Sequence, residues 1–375
     1  MTMNEYPKVA IIYLTYPTAN WQADINRGLA SLEKINYPKD RLELVCVESK
    51  AASGQRVKDW FDQTWLPKSG NELPRITYIL KDEFIGFSGN NNLGFAKAKE
   101  LGCDFVYSLN EDAEVEPDFL LRAVERAEAD PKIAVVQSFI LLGDHEHVNT
   151  TGNDLQFLGF GYSHGYLWSR AQAEKYFADW RASNPDLEIT YASGAGFLAR
   201  IAAFPRGLFD DKFFSYHEDT DISLDARLRG YKVVVEPGSV VYHHFAFAKS
   251  KINYYWMERN RYAIIFSYYR WWTLLLIAPM LLVMELALIV FSLKGGWWDM
   301  KRKAYGDLFS LNFWRWIGER RGRIQNSRVV SDRVLSRQLV ATIDFQDQNI
   351  KNQLLTYVGN PVMRAYWWVV KRLVF

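Results

Sequence analysis

Residues 106–120 read VYSLNEDAEVEPDFL: an apolar strand, then Asn110, Glu111, Asp112, Glu114, Glu116 and Asp118 in quick succession. Like charges repel, so acids gather behind a strand only where something offsets them. Asn110 and Asp112 are two apart, and in an extended chain such a pair points the same way. A carboxylate with a polar neighbour suits a hard divalent cation, Mg2+ or Mn2+. Such an ion takes one or two protein carboxylates and completes its shell with phosphate and water. The later acids have another use: Pro117 opens a helix, and Glu114, Glu116 and Asp118 favour its N-terminal dipole. A second acidic group, His217-Glu218-Asp219, precedes a helical stretch that starts at Thr220, where Asp is a preferred cap. Arg259 and Arg261, in WMERNRY, carry forks suited to a diphosphate; a solvated helix face is the competing reading.

Such groups need a scaffold, and the sequence offers an alternating one. Residues 8–15 (KVAIIYLT), 42–48 (LELVCVE), 76–80, 105–109 and 133–137 are short β-rich runs. Helical spacing fills residues 20–35, 90–101 and the stretch from 118, whose apolar face is Phe119, Leu120, Val124 and Ala127. Alternation of this kind predicts an α/β fold with a parallel sheet, and such sheets bind ligands beyond the C-terminal ends of their strands. Residues 144–190 are Gly-, Asn- and aromatic-rich with weak periodicity and read as irregular cover. A helix returns at 220–229 and a strand at 232–235.

The chain of 375 residues is 49% hydrophobic and 15% aromatic, with 14 Trp. Its net charge of +2 hides an asymmetry: from Lys294 onward 15 basic residues face 6 acidic ones, about +9, which leaves about −7 before it. A basic rear suits anionic lipid or nucleic acid, and its Trp content favours lipid over nucleic acid. Cys46 and Cys103 lie in or beside apolar runs and read as buried free thiols. The N-terminus has no basic segment followed by a long apolar one, so no signal peptide is expected and the first domain is placed in the cytosol.

Residues 271–293, WWTLLLIAPMLLVMELALIVFSL, carry one charge, Glu285, between Arg270 and Lys294. As a helix they reach about 34 Å, enough to cross a bilayer; the alternative is a buried core helix. Trp271, Trp272, Trp297 and Trp298 at the margins resemble an interfacial belt. A single crossing puts the basic tail outside, against the positive-inside tendency, so a re-entrant hairpin bent at Pro279 is preferred to a full span. The closing AYWWVVKRLVF and the earlier LNFWRWIG mix aromatics with Arg and Lys as interfacial helices do.

Four segments in order resemble the family 2 inverting glycosyltransferases of the GT-A fold: VAIIYLTYP, GFSGNNNLGFAKA, SLNEDAEVEPDFL, and SGAGFLAR followed by GLFDDKFFSYHEDTDISLDARLRGYKVVVEPGSVVYHH. They span roughly residues 8–245. The resemblance implies a GT-A domain over 1–250 with a central, mostly parallel Rossmann-like sheet, and a helical membrane-associated region over 251–375. It implies Asp112 as ligand to Mn2+ or Mg2+ in a variant N-x-D motif, and His243 as a further ligand, which favours Mn2+. Asp219 becomes the general base, with Glu218 as the alternative carboxylate. Thr15, Tyr16, Glu48, Gly86, Asn91, Asn92 and Asn110 fall to the nucleotide-sugar donor. Gly194 and Ala195 bring backbone to the donor sugar or acceptor, and Arg259 and Arg261 contact the leaving group or a lipid diphosphate. Where the family usually has Asp, this chain has Glu48. Gly86 also permits a tight turn, and Asn91 and Asn92 also suit helix caps.

The expected activity is transfer from a UDP- or dTDP-sugar to a lipid-linked saccharide at the cytosolic face of the membrane, in assembly of a surface polysaccharide or similar glycan, the likeness being to rhamnosyltransferase-type members. Transfer to polyprenyl phosphate, a non-catalytic sugar-nucleotide binder and a membrane scaffold are the rivals.

Overall fold

The computed structural model describes residues 6–51, 53–244, 250–344 and 353–374. The chain divides into two compact units. One comprises Met1–Gly152, Ser163–Phe214 and Lys232–Ala246; the other comprises Asn153–Tyr162, Ser215–Tyr231 and Phe247–Phe375.

The first unit is built on a nine-stranded sheet. Strands β1 (Val9–Leu14), β2 (Leu42–Ser49), β3 (Arg75–Lys81) and β4 (Phe105–Leu109) run parallel in the order β3-β2-β1-β4. β1, β2 and β4 are buried along their whole length, as strands covered on both faces must be. Between them lie α1 (Trp21–Leu32), α2 (Lys58–Thr64) and α3 (Gly86–Glu100). After β4 come the short β5 (Ala113–Val115), α4 (Phe119–Glu128) and β6 (Ile133–Leu142). The buried face of α4 is Phe119, Leu120, Ala123, Val124 and Ala127, each large side chain contributing about 1.5–3 kcal/mol through burial.

Beyond β6 the chain departs from the expected plan. The region expected to be irregular holds β7 (Val148–Thr150), the pair β8 (Asn153–Leu155) and β9 (Gly161–Ser163), and helix α5 (Arg170–Arg181). α5 is started by a reciprocal capping box between Ser169 and Gln172. The SGAGFLAR segment supplies β10 (Gly196–Arg200), which enters the sheet antiparallel between β4 and β6. After α6 (Glu218–Leu228), strand β11 (Lys232–His243) pairs parallel with β6 and antiparallel with β5, continuing through an irregularity between Glu236 and Val240. Only its first four residues were expected; the continuation past Pro237 and Gly238 is what delivers His243. Glu114 and Glu116 do not belong to the start of α4: Glu114 lies in β5, and Glu116 pairs with Arg170 at 3.0 Å. Cys46 and Cys103 are buried free thiols.

In the second unit α6 is joined by α7 (Lys251–Tyr268), α8 (Trp271–Lys294), α9 (Trp298–Leu308), α10 (Leu311–Ser327), α11 (Asp332–Leu335) and α12 (Asn360–Leu373). α7 packs on α9 and α10, α6 on α7 and α10, and α8 on α9 and α12. α8 runs unbroken for 24 residues through Pro279, so the hairpin expected at that proline is not formed. Among the described residues α8 is the one helix long and apolar enough to cross a membrane. Its only acid, Glu285, turns inward to Lys301, Arg261, Tyr262 and Tyr305. Leu275, Leu282, Leu286, Val290 and Leu293, at helical spacing, are each more than half exposed. Trp271 and Trp272 are exposed too, but Trp297 is buried against Tyr254, ring centroids 4.7 Å apart, and is no part of a belt.

Candidate active site

Two groups of predicted site residues lie in the two units. The first sits where β4 ends. The chain turns through Asn110, Glu111 and Asp112 and re-enters the sheet as β5, with Ala113 opposite His243 and Glu114 opposite Tyr242. Backbone bonds fix the turn: Asn110 N–H donates to the Ala195 carbonyl (3.3 Å), His244 N–H to the Asp112 carbonyl (2.9 Å), and the Tyr13 hydroxyl to the Glu111 carbonyl (2.8 Å). Gly28 makes room for that tyrosine, since any Cβ there would lie 2.5 Å from its oxygen.

Three predicted side chains meet at this turn. His243 Nε2 lies 3.1 Å from Asp112 Oδ1 and 3.4 Å from Asn110 Nδ2. Asn110 Oδ1 is buried with no hydrogen-bond partner, a condition that costs about 1–3 kcal/mol and that a cation would relieve. Burial pushes the Asp112 carboxyl up, but the charge and hydrogen bond of His243 outweigh it and hold the group below its usual range. Burial, and then the charge of Asp112, push Glu111 up to about 8. The turn therefore carries one ionised carboxylate at pH 7 rather than two. Two oxygen donors and an imidazole fit Mn2+ better than Mg2+.

The donor-side residues divide. Thr15 Oγ1 meets the Tyr78 hydroxyl at 3.0 Å, and that hydroxyl donates to Glu48 Oε2 at 2.7 Å. Glu48 is wholly buried and also accepts from the backbone N–H groups of Val57 (2.9 Å) and Lys58 (3.0 Å). Its carboxylate thus holds the start of α2, satisfying donors that a helix leaves open. Tyr16 lies against Phe84, ring centroids 6.0 Å apart. Gly86 has φ +69°, and a Cβ there would stand 2.6 Å from the Phe214 carbonyl, so both conformation and space demand glycine. Asn91 and Asn92 lie inside α3 and cap nothing. Asn91 accepts from Ser108 of β4 at 3.0 Å, while Asn92 clamps the 208–211 segment through Leu208, Phe209 and Asp211. Gly194 and Ala195 form the approach to β10, where the Ala195 carbonyl reaches Asn110.

The second group opens α6. Phe214, Tyr216 and His217 have φ of 64°, 67° and 68°, conformations that cost a non-glycine residue about 1–3 kcal/mol each. Asn260, fully buried, donates to the carbonyls of Ser215 (2.9 Å) and Tyr216 (2.8 Å) and so helps to hold them. The cap position is His217, not Asp219, which lies in the first turn. Asp219 Oδ1 accepts from the Thr220 N–H at 2.6 Å and hydroxyl at 3.3 Å. Glu218 is buried with Oε2 lacking a hydrogen-bond partner; burial, then the charge of Asp219, push it well above the ordinary range. His217 is pushed down to about 4, chiefly by burial and next by Arg261. Asp221 is structural: it pairs with Arg320 of α10 and accepts from the Tyr268 hydroxyl of α7 at 2.5 Å.

The two arginines serve the helices. Arg261 is 1% exposed, with its fork on Glu258 (3.1 and 3.2 Å), the Leu158 carbonyl (3.2 Å) and Glu285 (3.3 Å). Arg259 pairs with Asp307 at 3.0 Å and lies over the Trp316 ring. The residue between them, Asn260, was not singled out from the sequence; its signal was an uncharged side chain set between two bases.

Residues 14–202 match the profile described as glycosyl transferase family 2. Among curated proteins, the chain is 25% identical over 234 residues to glucomannan 4-beta-mannosyltransferase 7 of Arabidopsis thaliana, a match taking in 60% of this chain and 37% of that protein. It therefore spans little more than a third of that relative. Among solved structures, GalNAc-T7 with UDP, GalNAc and Mn2+ superposes with a TM-score of 0.54 at 15% identity, covering 72% of this chain and 48% of that one. The mannosyltransferase PcManGT from Pyrobaculum calidifontis, in complex with GDP-Man and Mn2+, gives 0.48 at 15% identity over 99% and 87% of the two chains. The fold is the expected GT-A type, an α/β body followed by helices.

Proposed function

The chain belongs to glycosyl transferase family 2, and from that premise we propose that it is a metal-dependent inverting transferase. On this reading it moves a sugar from a UDP- or dTDP-sugar to a hydroxyl of a lipid-linked saccharide. The observation that carries the proposal is the meeting of Asn110, Asp112 and His243 at the strand ends, with an ionised carboxylate, an imidazole and an orphaned amide oxygen. A divalent ion held by Asp112 and His243 would supply Lewis-acid neutralisation of the departing diphosphate. GalNAc-T7, the fold relative, contains UDP and Mn2+, which is in keeping with that assignment.

Asp219 takes the proton of the acceptor hydroxyl while that oxygen attacks the anomeric carbon. The bond to the diphosphate breaks on the opposite face, its electrons leave with the nucleotide, and the configuration inverts. A positioned base of this kind contributes about 10²–10⁴-fold. Burial and the charge of Asp219 favour the protonated form of Glu218, which leaves Glu218 as the alternative base. Thr15 and Tyr16 are assigned to the nucleotide, with Glu48 acting through Tyr78 and α2 rather than by contact. Gly86, Asn91, Asn92, Gly194 and Ala195 shape the donor-side loops.

The exposed apolar stripe of α8 and the basic, aromatic helices after it support attachment to an anionic membrane. We assign residues 1–250 to catalysis and 251–375 to that attachment, on the cytosolic face. A membrane dock shortens the search for a lipid-linked acceptor.

The test is a transfer assay on the purified full chain with UDP- and dTDP-sugars, in Mn2+ or in chelator, offering a lipid-linked saccharide or polyprenyl phosphate. Metal-dependent transfer to the saccharide, with inversion read by NMR, is expected. Transfer to polyprenyl phosphate alone would replace the acceptor assignment, and donor binding without transfer or hydrolysis would make the chain a binding protein.

A further inference from the structure

A second cluster of ligand-type side chains lies in the first unit, apart from the turn at Asn110. Glu114 Oε1 is 2.8 Å from His145 Nε2 and 2.8 Å from His244 Nε2, and the three ligand atoms lie within 4.8 Å of one another. Successive residues of a strand face opposite ways. Tyr242 of β11 and His244, the residue just past the strand's end, therefore share the face of Glu114, the cross-strand partner of Tyr242, while His243 takes the other face toward Asp112. The ribbon of β5 and β11 thus separates the two groups.

We propose that Glu114, His145 and His244 bind one Zn2+ ion. Three features argue that the place is built. The His145 ring stacks on Tyr242 at 3.9 Å and 16°, and the Tyr242 hydroxyl is itself held by Glu116 (2.5 Å) and Arg170 (3.3 Å). Gly143 admits the His244 ring, since a Cβ there would fall 2.2 Å from its Nδ1. His145 adopts φ +65° in a turn that Asp144 fastens by accepting from the Glu146 and His147 N–H groups at 3.0 and 2.9 Å. Outer partners of this kind orient metal ligands.

The donor set selects the ion. Two imidazoles and one carboxylate suit zinc and not the oxygen-preferring Mg2+ or Ca2+. Zinc bonds of about 2.0–2.2 Å set ligand atoms roughly 3.4 Å apart in a tetrahedron, so the present contacts need open by only about half an ångström. Zinc takes the Nε2 lone pair of each ring in its neutral form, with the ring hydrogen carried on Nδ1, so the two Nε2 contacts to Glu114 give way to bonds to the ion. His145 is about half exposed (49%), which leaves room for water as a fourth ligand. Bound there, zinc fastens the 143–146 turn to the strand that also presents His243.

The full chain is stripped with chelator and dialysed against Zn2+ without nucleotide, and bound metal is counted by elemental analysis. Asp112→Asn serves as background, so that the other group contributes nothing and the result stands apart from the transferase reading. One equivalent should remain in that background. His145→Ala, at an exposed turn, should weaken it by more than the ~10–100-fold that losing an outer partner costs, and Glu114→Gln should do the same. Co2+ should give visible absorption bands of low coordination that His145→Ala abolishes. Should the His145→Ala chain lose its circular dichroism, His145→Gln is read in its place. No zinc in the Asp112→Asn background, or zinc retained unchanged in both the His145 and Glu114 variants, would overturn the site.

Discussion

Glu111-Asp112 and Glu218-Asp219 are the same dipeptide in different surroundings. In both, the Glu keeps its proton, because burial and the adjacent Asp raise its pKa; two neighbouring acids rarely ionise together in a shielded place. The aspartates differ in their partners. Asp112 faces the imidazole of His243, which lowers its pKa, whereas Asp219 Oδ1 accepts from the N–H and the hydroxyl of Thr220. A carboxylate whose charged form a neighbouring group favours is a poor base and a good ligand. On the proposed function, the third residue and not the dipeptide divides the labour.

The contrast can be broken most sharply at Asp219. Asp219→Asn should lower transfer by about 10²–10⁴-fold while nucleotide-sugar affinity, read by calorimetry in Mn2+, stays nearly unchanged. Asp112→Ala should cost about 10²–10³-fold, the scale of one lost charge-stabilising contact, and should also weaken the nucleotide and abolish metal stimulation. If the two variants show the same pattern of turnover and affinity, the aspartates do not differ in role.

The partners of the pairs can be titrated. His217 is neutral in the fold, with its pKa down at about 4 against an ordinary 6.5. The unfolded chain binds more protons between those values, so stability is present above pH 6.5 and is lost as pH falls toward 4. The loss is at most about 3 kcal/mol, reduced by whatever solvent screens the partly exposed ring. Melting temperature against pH should show it, and His217→Gln should flatten that limb. Glu111 should act in the opposite sense. Its folded pKa is raised from 4.5 to about 8, so stability falls as pH rises through that window and levels off above it. Glu111→Gln should remove the fall, seen as a smaller drop in melting temperature between pH 5 and 8 in metal-free protein.

Much of the sheet was legible because β1, β2 and β4 are buried on both faces and so read as uninterrupted apolar runs. The start of α3 was not, because Gly86 and Gly89 are poor helix formers that tertiary packing overrides. β10 is five residues among small ones, and α5 buries only Ala173 and Phe177, too little to set a period. The Asn110, Asp112 and His243 group was readable from its motif and from the order of the segments. Glu48 misled because a strand-end acid can serve a ligand or a helix start, and only the fold shows the N–H groups of Val57 and Lys58 in front of it. The Glu114, His145 and His244 cluster draws on three elements, and no spacing within a single stretch announces it.

Phe214, Tyr216 and His217 each adopt a mirror-image backbone just before α6. Glycine would relax every one of them, so selection for heat resistance alone would drift toward glycine there. A library screened for robustness should therefore enrich such replacements, and a library screened for turnover should discard them, with the opposing tallies marking where durability was surrendered for aim.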